Sequence, residues 1–183
     1  MDRTPETRPV SVRESVDRVL ASGTRCASCF VQVLRDEGVP VPPSVAEVAP
    51  ALEEGIGGTG HACGAYVAAV LASTIDGGGG ADYRVEGTES PRPLNPWLDA
   101  FTPLSAEAAM TARRSALGER LAGVARERYG GLDCAHISGA EWPAVGAGPL
   151  RLYYATGGAE RCSAFIADTV EAYLDTHGRP RMK

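Results

Sequence analysis

Segment after segment of this chain carries apolar side chains at helical spacing and then stops at a glycine. Long polar–apolar alternation never takes its place, so the periodicity points to helices rather than a sheet. In "VSVRESVDRVLASG", Val12, Val16, Val19 and Leu20 form one stripe before Gly23. "TRCASCFVQVLRDEG" predicts a second helix with Thr24 as N-cap and Gly38 as its stop. The closely spaced prolines of "VPVPP" then demand an extended connector. "SVAEVAPALEEG" shows Ser44 followed by Glu47, a capping-box pattern disturbed by Pro50. Further on, "HACGAYVAAVLAS" reads as a helix of small residues, and a long helix runs from N-cap Ser105 through "RYGG". "LDCAHISG" is a short turn behind Asp133, and "AERCSAFIADTVEAYLDTHG" a last amphipathic helix ending at Gly178. Only "LRLYY" has a β-like look. The expected fold is mainly α, a helical bundle forming a single domain over 1–183 with Gly/Pro-rich loop insertions, chiefly 76–104 with its four successive glycines.

The bulk numbers exclude several partners. A chain of 183 residues can bury one core and needs no second. Its 18 basic against 23 acidic residues, with arginines scattered and lysines scarce, argue against nucleic acid. No apolar run is long enough to span a bilayer, so no membrane role is expected. "MDRTPETRPVSVRES" lacks the apolar core of a secretory signal, so the expected compartment is cytoplasmic. There the five cysteines would be reduced thiols, not a disulfide framework.

Cys26, Cys63, Cys134 and Cys162 each fall at a separate predicted helix start. Free N–H groups and the helix dipole favour negative charge there, which suits a thiolate. Taken singly, each also reads as a small core hydrophobe. Together, four thiolates converging from helix N-termini would surround a cationic metal or metal–sulfide core. Gly58, Gly60 and Gly64 would let the backbone close around it, glycine having no Cβ. His61 stands two residues before Cys63 and His136 two after Cys134, so either imidazole could serve as ligand, proton donor or hydrogen-bond partner. Each reads equally as a surface or capping residue. His177 is expected to face solvent, and Tyr153, Tyr154 and Trp97 to cover the core or wall a pocket.

These segments resemble the C_GCAxxG_C_C family of redox-active proteins. The match is carried by Cys26 in "RCASC", by Gly58, Gly60, Cys63, Gly64 and Ala65 in "GTGHACGA", by Cys134 in "YGGLDCAHISG" and by Cys162 in "RCSAFIADTVEAYL". It spans roughly 12–176 and departs from the pattern in three ways: Ala68 replaces the last glycine, 76–104 and 141–158 look inserted, and Cys29 is extra. The resemblance implies an iron–sulfur protein, because similar segments of split-Soret cytochromes hold a [2Fe–2S] cluster. The ligands would be Cys26, Cys63, Cys134 and Cys162, and the cluster [2Fe–2S] or [4Fe–4S]. No C-x-x-C-H occurs, so the haem half of such cytochromes is missing.

Two other chemistries use the same thiols. Structural zinc takes four cysteines but in paired knuckles, and only Cys26/Cys29 has that spacing. "CASC" is also a C-x-x-C redox motif, although no βαβ pattern surrounds it. Cys29 is a packed neighbour, a resolving thiol or a spare ligand. The expected function is electron transfer to a redox partner protein, or cluster-dependent catalysis on a small molecule with His61 and His136 as catalytic candidates. The small-residue run "AYVAAVLA" suggests a homodimer.

Overall fold

The computed structural model describes residues 10–75, 105–140, 153 and 155–178. Within them the chain is helical and has no strand. The helices are α1 (Val12–Ala21), α2 (Cys26–Asp36), α3 (Pro43–Val48), α4 (Gly64–Ile75), α5 (Ser105–Tyr129), α6 (Cys134–Ser138) and α7 (Gly158–His177), with a 3-10 turn at Ala49–Leu52. The all-α reading is thus correct. The 76–104 insertion, Trp97, Tyr154 and all of "LRLYY" except Tyr153 lie outside the described residues.

Three predicted N-caps differ, Ser105 among them, since it is already the first residue of α5. The N-cap of α2 is Arg25, in extended conformation and without a side-chain bond, so Thr24 stands one residue too early. α3 opens at Pro43, whose fixed φ is already helical, and this puts Ser44 inside the first turn rather than ahead of it. The capping box is found instead at α1. Glu14 N–H donates to Ser11 Oγ at 3.2 Å, and Ser11 N–H donates to Glu14 Oε2 at 2.8 Å. Pro50 acts as expected: α3 gives way to the tighter 3-10 turn just ahead of it.

α7 is the central helix, packed against α1, α2, α4 and α5. Its buried Tyr173 meets Phe30 edge-on at 5.8 Å, and its Phe165 meets Tyr129 at 5.5 Å. Such pairs add about 1 kcal/mol beyond the apolar area they bury. α4 inserts between α2, α5 and α7 with Ala65, Ala68, Ala69 and Ala72 all buried. Alanines there let the helices approach closely. Ala68, where the family pattern has glycine, is accommodated with no exposed surface. The small-residue face that suggested a homodimer is therefore used inside one chain.

His177 is not the solvent-facing residue expected. Its ring stacks on Tyr173 at 4.1 Å, with Nδ1 3.1 Å from Tyr173 O and Nε2 3.1 Å from Ser73 Oγ. A carbonyl only accepts, so Nδ1 donates to Tyr173 O, while Nε2 and the Ser73 hydroxyl share the second bond. This joins the far ends of α4 and α7.

Replacing a working cap should cost more than replacing an apparent one. Ser11→Ala is expected to lose about 1 kcal/mol in denaturant unfolding, whereas Ser44→Ala should stay within about 0.5 kcal/mol of the parent protein.

Candidate four-cysteine site

Two short backbone segments bring the middle cysteines together. Ala62 and Asp133 form an isolated antiparallel bridge, in which Cys63 N–H donates to Leu132 O and Cys134 N–H to His61 O, each at 2.9 Å. Residues that follow the paired ones on each side point to a common face. Cys63 and Cys134 thus leave the bridge together, one as α4 begins and the other as α6 begins, and their sulfurs are hydrogen-bonded. Cys26 opens α2 as its first residue. Cys162 is the fifth residue of α7, one turn deeper than the helix start predicted for it. Three cysteines therefore come from helix N-termini and the fourth from a second turn.

All four line one cavity of about 700 Å³. Its walls include Leu20, Ile137, Ile166 and Tyr153, and its rim carries Arg13, Asp17, Arg25, Glu54 and Glu160. Arg25 and Glu54 form an ion pair at this rim, and Ser163 donates to Asp17. Among the described residues, no three of His, Cys, Asp or Glu are grouped to hold a metal ion. Cys29 is elsewhere. It has no exposed surface, belongs to the core and directs Sγ toward Val16 O at 3.8 Å.

The glycine-rich run builds a turn. Glu54, Gly55, Ile56, Gly57 and Gly58 all have positive φ, a left-handed turn that costs about 1–2 kcal/mol for each residue other than glycine. The amides of Gly58 and Gly60 donate to Glu53 O and Glu54 O within that turn, and neither residue lines the cavity. Gly64 does bear on the site by close approach. A Cβ there would lie 2.2 Å from Leu52 O and 3.2 Å from Cys26 Sγ. Neither imidazole faces the cavity. The rings of His61 and His136 are exposed; His136 lies over Gly131 with Nδ1 3.6 Å from Asp133. Both segments contribute through backbone instead.

Burial is the largest influence on Cys26 and Cys162. It pushes the Cys26 thiol up to about 12, with the neighbouring Cys63 adding to the rise, while the amides of Ala27 and Ala65 oppose it. The hydrogen bond to Cys134, followed by burial, raises Cys63, against the amides of Tyr66 and Ala65. Burial likewise lifts Cys162 to about 12, and here the opposing donor is the Tyr153 hydroxyl. The expected backbone N–H groups at the sulfurs are thus present for the helix-start thiols Cys26 and Cys63.

Sequence reasoning missed the bridge, the donor role of Tyr153, and Arg161. Arg161 Nε and Nη2 donate to Ile137 O (3.0 Å) and His136 O (2.9 Å), and its guanidinium lies 5.7 Å from the Tyr129 ring centre. It holds the C-terminal carbonyls of α6 to α7, and so Cys134 near Cys162. The only available signal was an arginine next to a family cysteine.

A helical bundle with four separated cysteines facing one cavity defines a cysteine-centred all-α protein. The family described as "Putative redox-active protein (C_GCAxxG_C_C)" matches residues 24–175, and the chain belongs to that family. No curated protein and no solved structure matches it. Among the described residues no helix is long and apolar enough to cross a membrane.

The raised thiols set a pH dependence for the metal-free protein. A thiol titrating at about 12 holds roughly a thousandfold less thiolate at pH 8 than one at 9. Iodoacetamide should therefore modify Cys26 and Cys162 about a thousandfold more slowly than a cysteine peptide at pH 8, read site by site by mass spectrometry. The rates should still be climbing above pH 10. Gly64→Ala forces Leu52 or Cys26 to move, and a loss of about 1–3 kcal/mol is expected in denaturant unfolding.

Proposed function

We propose that Cys26, Cys63, Cys134 and Cys162 hold an iron–sulfur cluster, [2Fe–2S] or [4Fe–4S], and that the protein is a redox module exchanging electrons with a partner protein or a small molecule. One observation carries this reading: four thiols from distant parts of the chain line a single cavity. The donor set fits, since both cluster types take four cysteine ligands. When bound, such a group supplies one-electron exchange at a potential governed by burial and by hydrogen bonds to its sulfurs.

The chain's own residues support that use. Thiols raised by burial lose their protons readily only to a strongly cationic partner, so the cavity favours a metal-bearing group over a free thiolate. Amides of Ala27, Ala65 and Tyr66 are in position to donate to sulfur. The four cysteines come from four separate segments, whereas structural zinc usually draws on paired, closely spaced cysteines. The burial of Cys29 in the core counts against a Cys26/Cys29 dithiol.

A second reading, cluster-dependent catalysis on a small molecule, is favoured by the charged rim of Arg13, Asp17, Arg25, Glu54 and Glu160. That rim leaves room beside the sulfurs for a polar ligand. Since the rings of His61 and His136 lie outside the cavity, this reading assigns them no proton transfer.

Anaerobic purification followed by iron, sulfide and zinc analysis tests the proposal. Iron and acid-labile sulfide in comparable amounts, with visible absorption, are expected. Serine at any of the four positions should abolish or severely reduce both, whereas Cys29→Ala should retain them. A colourless protein that fails reconstitution, or one carrying only zinc, overturns the cluster.

A further inference from the structure

Three of the four cysteines begin helices, and for Cys26 and Cys63 the opening amides supply hydrogen bonds to sulfur. Cys162 lies too deep in α7 for the free amides of that helix to reach it, because its own turn is already bonded internally. Its donor is a side chain. The Tyr153 hydroxyl is hydrogen-bonded to Cys162, and both residues line the cavity. The approach of that phenol is built into the backbone. At Gly158, the first residue of α7, an added Cβ would fall 2.4 Å from Tyr153 Cδ2, 2.6 Å from Cε2 and 2.8 Å from its carbonyl oxygen. The glycine keeps open the space that the ring occupies. Thr156 Oγ1 in addition donates to Tyr153 O at 3.3 Å, holding the short turn between ring and helix.

We infer that Tyr153 is a positioning residue of the four-cysteine site, whose hydroxyl donates to Cys162 and tunes the potential of the bound cluster. The inference rests on the cluster reading for its functional half, while the hydrogen bond itself does not. A donor to a ligating sulfur withdraws electron density and favours the reduced state. Loss of the donor should therefore move the midpoint potential in the negative direction. Tyr153→Phe removes the hydroxyl and retains the ring. Gly158→Ala retains the hydroxyl and displaces the ring, and alanine is the better helix former, so α7 itself should persist.

Both variants should carry iron and sulfide at the level of the unmodified protein and show a more negative midpoint potential. An unchanged potential in Tyr153→Phe at equal cluster content overturns the tuning role. The contact is tested separately in metal-free protein labelled with ring-carbon-13 tyrosine. The NMR signal that vanishes in Tyr153→Phe should shift in Cys162→Ala and stay put in Cys29→Ala. A signal indifferent to Cys162→Ala overturns the hydrogen bond whether or not a cluster binds. Absence of iron and sulfide from the unmodified protein overturns the cluster reading and the tuning role with it, and leaves the NMR result to decide the contact.

Discussion

Two backbone hydrogen bonds, between residues 61–63 and 132–134, organise the rest of the site. They fasten the entrance of α4 to the entrance of α6, and so fix two cysteines that the sequence separates widely. The arrangement requires the chain to arrive at α4 in an extended conformation, and the left-handed turn of 54–58 delivers it that way. Within it the amides of Ile56, Gly57 and Gly58 donate to the carbonyls of Leu52, Ala51 and Glu53, which ties the turn back to the 3-10 segment ahead of it. On the other side, Arg161 clasps the end of α6 to α7. The cavity walls follow from these fastenings and not from hydrophobic packing alone.

The site balances opposing electrostatic tendencies. Burial disfavours thiolates, yet helix-start amides and one phenol are aimed at the sulfurs. In an unliganded bundle those donors serve neutral thiols and contribute little. Beside a cationic core the same donors stabilise the charge left on sulfur. The donors therefore favour the charged form while burial favours the neutral one.

Much of this was legible in the sequence because helices are local. Stripes such as Val12, Val16 and Val19, and stops such as Gly178, need only neighbours in the chain to be recognised, and those elements stand where expected. Caps were less legible, since Ser44 and Thr24 have the right chemistry in the wrong register. Ser44 is displaced by Pro43, which nucleates the turn one residue earlier. The glycine-rich run was read as room for a cofactor, yet Gly58 and Gly60 shape a turn and only Gly64 touches the sulfur environment. The bridge could not be read at all: pairing between two three-residue segments leaves no periodicity. Tyr153 escaped for a related reason, because the space it fills is recorded at Gly158, a residue that looks like an ordinary helix boundary.

The central position of α7 also makes the cavity depend on the whole bundle. This helix meets α1, α2, α4 and α5 while supplying the fourth cysteine. Until it docks, the cavity lacks a wall and Cys26, Cys63 and Cys134 have no enclosed space between them. The contacts that complete the cavity, such as those of α1 with α7, are among the longest in sequence separation, so each carries a loop-closure cost. The enclosed space beside the four thiols is thus a property of the docked bundle and of none of its helices taken singly.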